Sequence, residues 1–164
     1  MMEESGMWNW KMIHDENDFI MYCDIENVAG SEEDEQGSFP VGECYQALPE
    51  KIIVWVSIGI KNKEVLARYI ARRREAGLSA TGYESYAHSL GLVELDFPSR
   101  LYRVIPAMDF DDKDNQLGTS SLVAEGEPLL KGLKGDWSPV DSSDTNDAIK
   151  AVFKFFYPPD AEDR

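Results

Sequence analysis

Lys51-Ile52-Ile53-Val54-Trp55-Val56-Ser57-Ile58-Gly59-Ile60 is the stretch on which the reading of this chain turns. It is rich in β-branched residues and is far short of the ~20 apolar residues a membrane-spanning helix needs. Apolar side chains fall on both alternations, Ile52, Val54 and Val56 against Ile53 and Trp55. Such a run reads as a central strand with both faces covered.

Downstream, Asn62 is an N-cap and Gly77 a stop for one helix. Val65, Leu66, Tyr69, Ile70 and the stem of Arg73 form its apolar stripe. Thr81 with Glu84 has capping-box spacing and predicts a short second helix to about Leu90, stopped by Gly91. Val93, Leu95 and Phe97 alternate with acids as a half-buried strand. Pro98 and Ser99 turn it into another, Arg100 to about Ile105, which Pro106 ends or places at an edge. Residues 109–118 read as an acidic loop, Thr119–Ala124 as a short strand and 126–140 as irregular. Asp144 caps a last helix, Thr145–Phe156, and Pro158 and Pro159 open a frayed tail over 158–164.

Upstream, Trp8–His14 and Asp18–Ile25 form a hairpin around a four-residue loop, Asp15–Asp18. That register pairs His14 with Phe19, Met12 with Met21 and Trp10 with Cys23, and puts all six on one face. Residues 27–50 read as a second acidic loop, holding Glu32, Glu33, Asp34 and Glu35. The whole predicts one α+β domain over 1–164, a mostly antiparallel twisted sheet with two to three helices packed on one face.

Charge is spread unevenly within the total of −15. Residues 1–50 carry −12, residues 51–78 carry +5 and residues 79–164 carry −8. A surface this negative repels phosphate backbones and anionic membranes and favours a basic protein partner. The N-terminus begins with Glu3 and Glu4 in place of a basic, then apolar, signal, and the chain has two cysteines, Cys23 and Cys44. Both features point to a reducing cytoplasm, with a Cys23–Cys44 bridge as the alternative.

Catalytic and ligand motifs do not emerge. Cys23 and His14 lie at opposite ends of the expected hairpin, too far apart for proton transfer. The cysteines and the histidines, His14 and His88, match no zinc spacing. A calcium loop begun at Asp109 fails at Lys113, at Asp114 in the glycine position and at Ser120 in the glutamate position. No glycine-rich phosphate loop or nucleophile elbow occurs. No metal, cofactor or catalytic residue is expected.

Leu66–Leu92 resembles the first two helices of helix-turn-helix repressors through Arg72, Arg73, Arg74, Gly77, Leu78, Ser79, Ala87, Leu90 and Gly91. A strand is predicted from Val93 where the recognition helix should follow, so no DNA reader is expected. The arginines then read as the solvated end of a helix or as partners of acids elsewhere.

Binding is therefore the expected role. The candidate partner surface is Glu32, Glu33, Asp34 and Glu35 with Phe39 and Tyr45, then Asp109, Phe110, Asp111, Asp112 and Asp114, and Trp137. Carboxylates supply steering and aromatic rings supply anchors. In composition and size the chain resembles the broad class of bacterial immunity proteins. That resemblance implies a non-catalytic, cytoplasmic inhibitor covering the active site of a basic toxin domain such as a nuclease. The alternatives are an adaptor with a non-toxin partner and a small enzyme with a carboxylate site.

Overall fold

The computed structural model describes residues 8–30, 38–39, 50–122 and 133–158. Nine strands form one sheet: β1 Trp10–Asp15, β2 Phe19–Asp24, β3 Val28–Gly30, β4 Ser38–Phe39, β5 Lys51–Ile60, β6 Tyr86–Asp96, β7 Leu101–Asp111, β8 Gln116–Thr119 and β9 Ser138–Pro139. The main path runs β1-β2-β5-β6-β7-β8, with β3 and β4 attached beside β5 and β9 beside β7. Every pairing among the described strands is antiparallel. Among the described residues two helices, α1 Lys63–Glu75 and α2 Asp147–Phe156, accompany the sheet in an α+β fold that the sheet dominates.

Strand β5 spans the ten residues its composition predicts, but its faces differ. Ile52, Val54, Val56 and Ile58 are buried, whereas Ile53 and Trp55 are half-buried. The buried face joins Phe19, Met21 and Cys23 of β2, Val93 and Leu95 of β6, and Tyr102 and Val104 of β7. Val65 and Tyr69 of α1 and Ile149, Val152, Phe153 and Phe156 of α2 enter the same cluster. Coverage of both faces was the expectation; one face is sealed and the other, the outer face, is not.

Helix α1 starts on Asn62, whose side chain accepts from the Glu64 and Val65 amides, and it ends two residues before Gly77. Helix α2 starts later than expected. Asn146, not Asp144, is its cap, accepting from the Ala148 amide at 2.7 Å, while Thr145 is buried with its hydroxyl bonded to the Pro139 carbonyl. The helix expected over 81–90 is absent. Its capping signal yields one 3-10 turn, Tyr83–Ser85, and β6 begins at Tyr86. Pairing with β5 and β7 on both sides overrides the local helix signal.

Four register shifts interrupt the described strand pairings, one of them between β7 and β8, and the other three set which side chains share the outer face. In β1 the register shifts at Ile13, so Met12 pairs with Tyr22 and His14 with Met21. Trp10 and Met12 therefore leave the face on which they were expected with Met21 and Cys23 and join Tyr22 on the outer face, because one extra residue swaps faces. A shift between Tyr86 and His88 does the same at the start of β6. The third lies at Ala107: Leu90 pairs with Met108 but Gly91 pairs with Pro106. Strand β7 thus continues through Pro106, whose missing donor is tolerated at a bulge. A Cβ on Gly91 would lie 3.0 Å from the Ile105 carbonyl oxygen, so the close approach there requires glycine.

Candidate functional site

The predicted partner residues divide into three groups. Glu32, Glu33, Asp34, Glu35 and Tyr45 lie outside the described residues. Phe39 is part of β4, where its backbone pairs with Val28. The remainder are placed by the sheet. Residues 109–118 are not a loop but a hairpin, the end of β7, a turn and β8. Asp111 organises that turn. It accepts from the Asn115 amide at 2.8 Å, the Asn115 side chain at 3.1 Å and the Lys113 amide at 2.9 Å. The Asn115 amide is the main reason its carboxyl lies below the usual carboxylate range. Asp112 and Asp114 are exposed beside it. Trp137 is 38% exposed, with the Arg103 guanidinium 4.9 Å from its ring centre. Arg103 in turn donates to Glu94, which is buried, at 2.9 Å.

Asp109 departs most from its predicted role. It is fully buried and meets no solvent. One carboxylate oxygen accepts from the Tyr69 and Tyr83 hydroxyls at 2.5 and 2.7 Å, and the other accepts from Ser89 at 2.5 Å. Arg73, also buried, stands 3.6 Å away and stacks on the Tyr83 ring at 4.5 Å. Its Nε donates to the Ser79 carbonyl at 2.7 Å, and the same Nη1 that faces Asp109 donates to the Thr119 carbonyl at 2.6 Å. A Cβ on Gly118 would come within 2.8 Å of that guanidinium, so glycine makes room for it. Burial first, then Asp109, holds the Tyr69 and Tyr83 phenols above their ordinary range, so both remain donors. Each charged or polar group in this cluster is satisfied by another, which makes it a lock between α1, β6, β7 and β8. Arg73 is therefore not part of a solvated helix end.

The outer face of the sheet carries the features that the Asp109 cluster lacks. The register lines up Trp10, Met12, Ile20 and Tyr22 with Trp55, Ser57 and Gly59, then with His88, Leu90 and Leu92, then with Ile105, Met108 and Phe110. These side chains are half-buried apart from Met12, which is 50% exposed, and Ser57, which is nearly covered. Trp8 stacks on Trp10 at 5.1 Å and meets Trp55 edge-on at 5.6 Å. His88 lies flat on Phe110 at 5.2 Å. Between these groups the small side chains of Ser57 and Gly59 leave the sheet low. The result is a hollow of about 240 Å³ walled by Trp10, Tyr22, Ile20 and His88. Burial lowers the pKa of His88, against a smaller opposing pull from Asp114 and Asp109.

Sequence reading missed this surface because it placed Trp10 and Met12 on one face with Cys23 and Met21, and Trp55 on a covered face. One signal was present: the second alternation of β5 ends in Ser57 and Gly59, residues too small to pack a core layer. Cys23 is buried, and burial, then Asp24, pushes its thiol up and away from thiolate reactivity. Among the described residues no three His, Cys, Asp or Glu side chains are grouped to hold a metal ion, and no helix is long and apolar enough to cross a membrane.

In comparisons with known proteins, no family model matches the chain, and neither the curated proteins nor the solved structures searched include a match.

Proposed function

We propose that this chain is a non-catalytic binding protein that docks a basic protein, acting in the cytoplasm as an immunity-type inhibitor covering the active site of a toxin domain such as a nuclease. The observation that carries the reading is a half-exposed aromatic sheet face on a molecule of net charge −15. Interface energy concentrates in tryptophan and tyrosine. A negative field speeds encounter with a positive partner and discriminates against anionic ones. Trp8, Trp10 and Trp55 make one contiguous aromatic patch, and Trp137 lies beside Arg103, two residues along β7 from Ile105, which is in line with Trp55. Acids flank the patch along the chain: Asp15, Glu16 and Asp18 in the β1–β2 turn, and Asp111, Asp112 and Asp114 in the β7–β8 turn. Both turns lie at the end of the sheet where β5 finishes and β6 begins.

The test is to isolate the chain with its partner from native cells at low salt and to assay the partner. The expected result is a positively charged protein whose enzymatic activity is abolished by one equivalent of the chain, with an association rate that falls as salt rises. An anionic partner, or one that keeps full activity in the complex, overturns the reading.

A further inference from the structure

We propose that the outer-face hollow beside Trp10 and Tyr22 is a socket for a single arginine side chain presented by the partner. This deepens the binding role proposed above and rests on it.

Size comes first. At about 240 Å³ the hollow is below the ~300–1,000 Å³ typical of small-molecule sites, so it suits one protruding side chain better than a metabolite. Its walls come next. Trp10, Tyr22 and His88 offer aromatic rings, and among the described residues no lysine, arginine or carboxylate lines it. A planar, weakly hydrated guanidinium stacks on such rings, whereas an ammonium loses more hydration on entering.

Charge separates arginine from leucine or phenylalanine, which would also fill an apolar hollow. Asp18 precedes Ile20 by two residues on one wall, and the exposed Asp112 and Asp114 follow Phe110, which stacks on His88, on the other. The negative charge of the exposed Asp114 is felt at the His88 ring itself. Lys61, the base nearest in sequence to Gly59, is held by Asp15. The fold already uses this chemistry on the same side of the sheet, where Arg103 stacks on Trp137 and pairs with Glu94.

The test uses capped tripeptides, acetyl-Gly-Xaa-Gly-amide, with Xaa arginine, citrulline, lysine or leucine, titrated into the full chain labelled with nitrogen-15. The arginine peptide should shift the backbone amides of Ile20, Gly59 and Ala87. It should bind at least about fivefold more tightly than its neutral isostere citrulline, the size expected of a desolvated cation–aromatic contact. Salt should weaken it, and Trp10→Leu, which keeps an apolar wall without the ring, should remove the preference over citrulline. Equal binding of the leucine or citrulline peptide, or no shift at those amides with the arginine peptide, overturns the socket. Because the peptide comparison is made on the unaltered chain, the socket can fail while inhibition of a basic partner is still observed, and the reverse holds as well.

Discussion

The two faces of the sheet are built by the same strands and have opposite characters. Along β5, Ile52, Val54 and Val56 are sealed under helices α1 and α2, while Ile53 and Trp55 one residue away remain half-exposed. On the inner side the polar groups, Asp109, Arg73, Tyr69, Tyr83 and Ser89, are consumed by one another. On the outer side, aromatic rings border a hollow and the nearby carboxylates lie in solvent-facing turns. Period-two alternation lets a single strand serve stability on one side and recognition on the other. The difference also shows that burial, not residue type, separates a structural acid such as Asp109 from an available one such as Asp112.

The largest effect tests the inner face. Asp109→Ala leaves Arg73 without its counter-charge and three hydroxyls without their acceptor, and breaking a buried pair in this way costs ~3–5 kcal/mol. Urea unfolding should show a correspondingly lower midpoint, and a stable variant would break the description of this cluster as a lock. Next, neighbouring substitutions on β5 should diverge. Ile52→Ala should cost ~2–5 kcal/mol as a core cavity. Ile53→Ala, at a half-buried position, should cost ~1 kcal/mol, near the centre of the distribution for point substitutions in general. Similar losses at both positions would mean that the outer face is packed after all.

A smaller effect sharpens the outer face electrically. All four tryptophans are at least partly accessible. Relative to free tryptophan, caesium ions should quench their fluorescence more strongly and iodide less strongly, because the field there attracts cations. Enhanced iodide quenching would place the patch in a positive field and remove the basis for a basic partner.

The smallest expected effect is a pH slope. The folded state lowers the pKa of His88 through burial, so it favours the neutral ring and binds fewer protons than the unfolded chain. Its contribution is therefore undiminished above the ordinary value of 6.5, is lost as pH falls through 6.5 towards the lower folded value, and is constant below that. The carboxyls of Asp111 and Asp141, lowered by the Asn115 amide and by Arg100 respectively, act in a separate window below their ordinary 3.8. His88→Phe should flatten the stability profile between pH 7 and pH 5. An unchanged slope would place the proton uptake elsewhere.

Much of the fold was legible from local signals. The β5 strand, the Asn62-capped helix and the hairpin turn after β1 are written in alternation, capping and turn chemistry within ten or so residues. The false helix at 81–90 shows the limit of that reading: Thr81 and Glu84 have the right spacing, yet only a 3-10 turn forms before β6 takes the chain. The candidate site was less legible. Phe110, Asp111, Asp112 and Asp114 were named from composition and do lie at one end of the sheet, but Asp109 was grouped with them although it belongs to the interior. Trp10, Tyr22 and His88 were not named as contact residues.

By itself the amino-acid sequence determined the elements that depend on near neighbours: the central strand, the first helix, the acidic balance and its uneven spread. Tertiary structure alone decided which face each side chain joins and which charges survive at the surface. Bulges at Ile13 and Ala107 reverse the alternation only because of strands paired across the sheet. The Asp109 cluster draws on residues 20 to 40 positions away. A face or a buried pair is a property of register between distant segments, and no window of adjacent residues encodes that register.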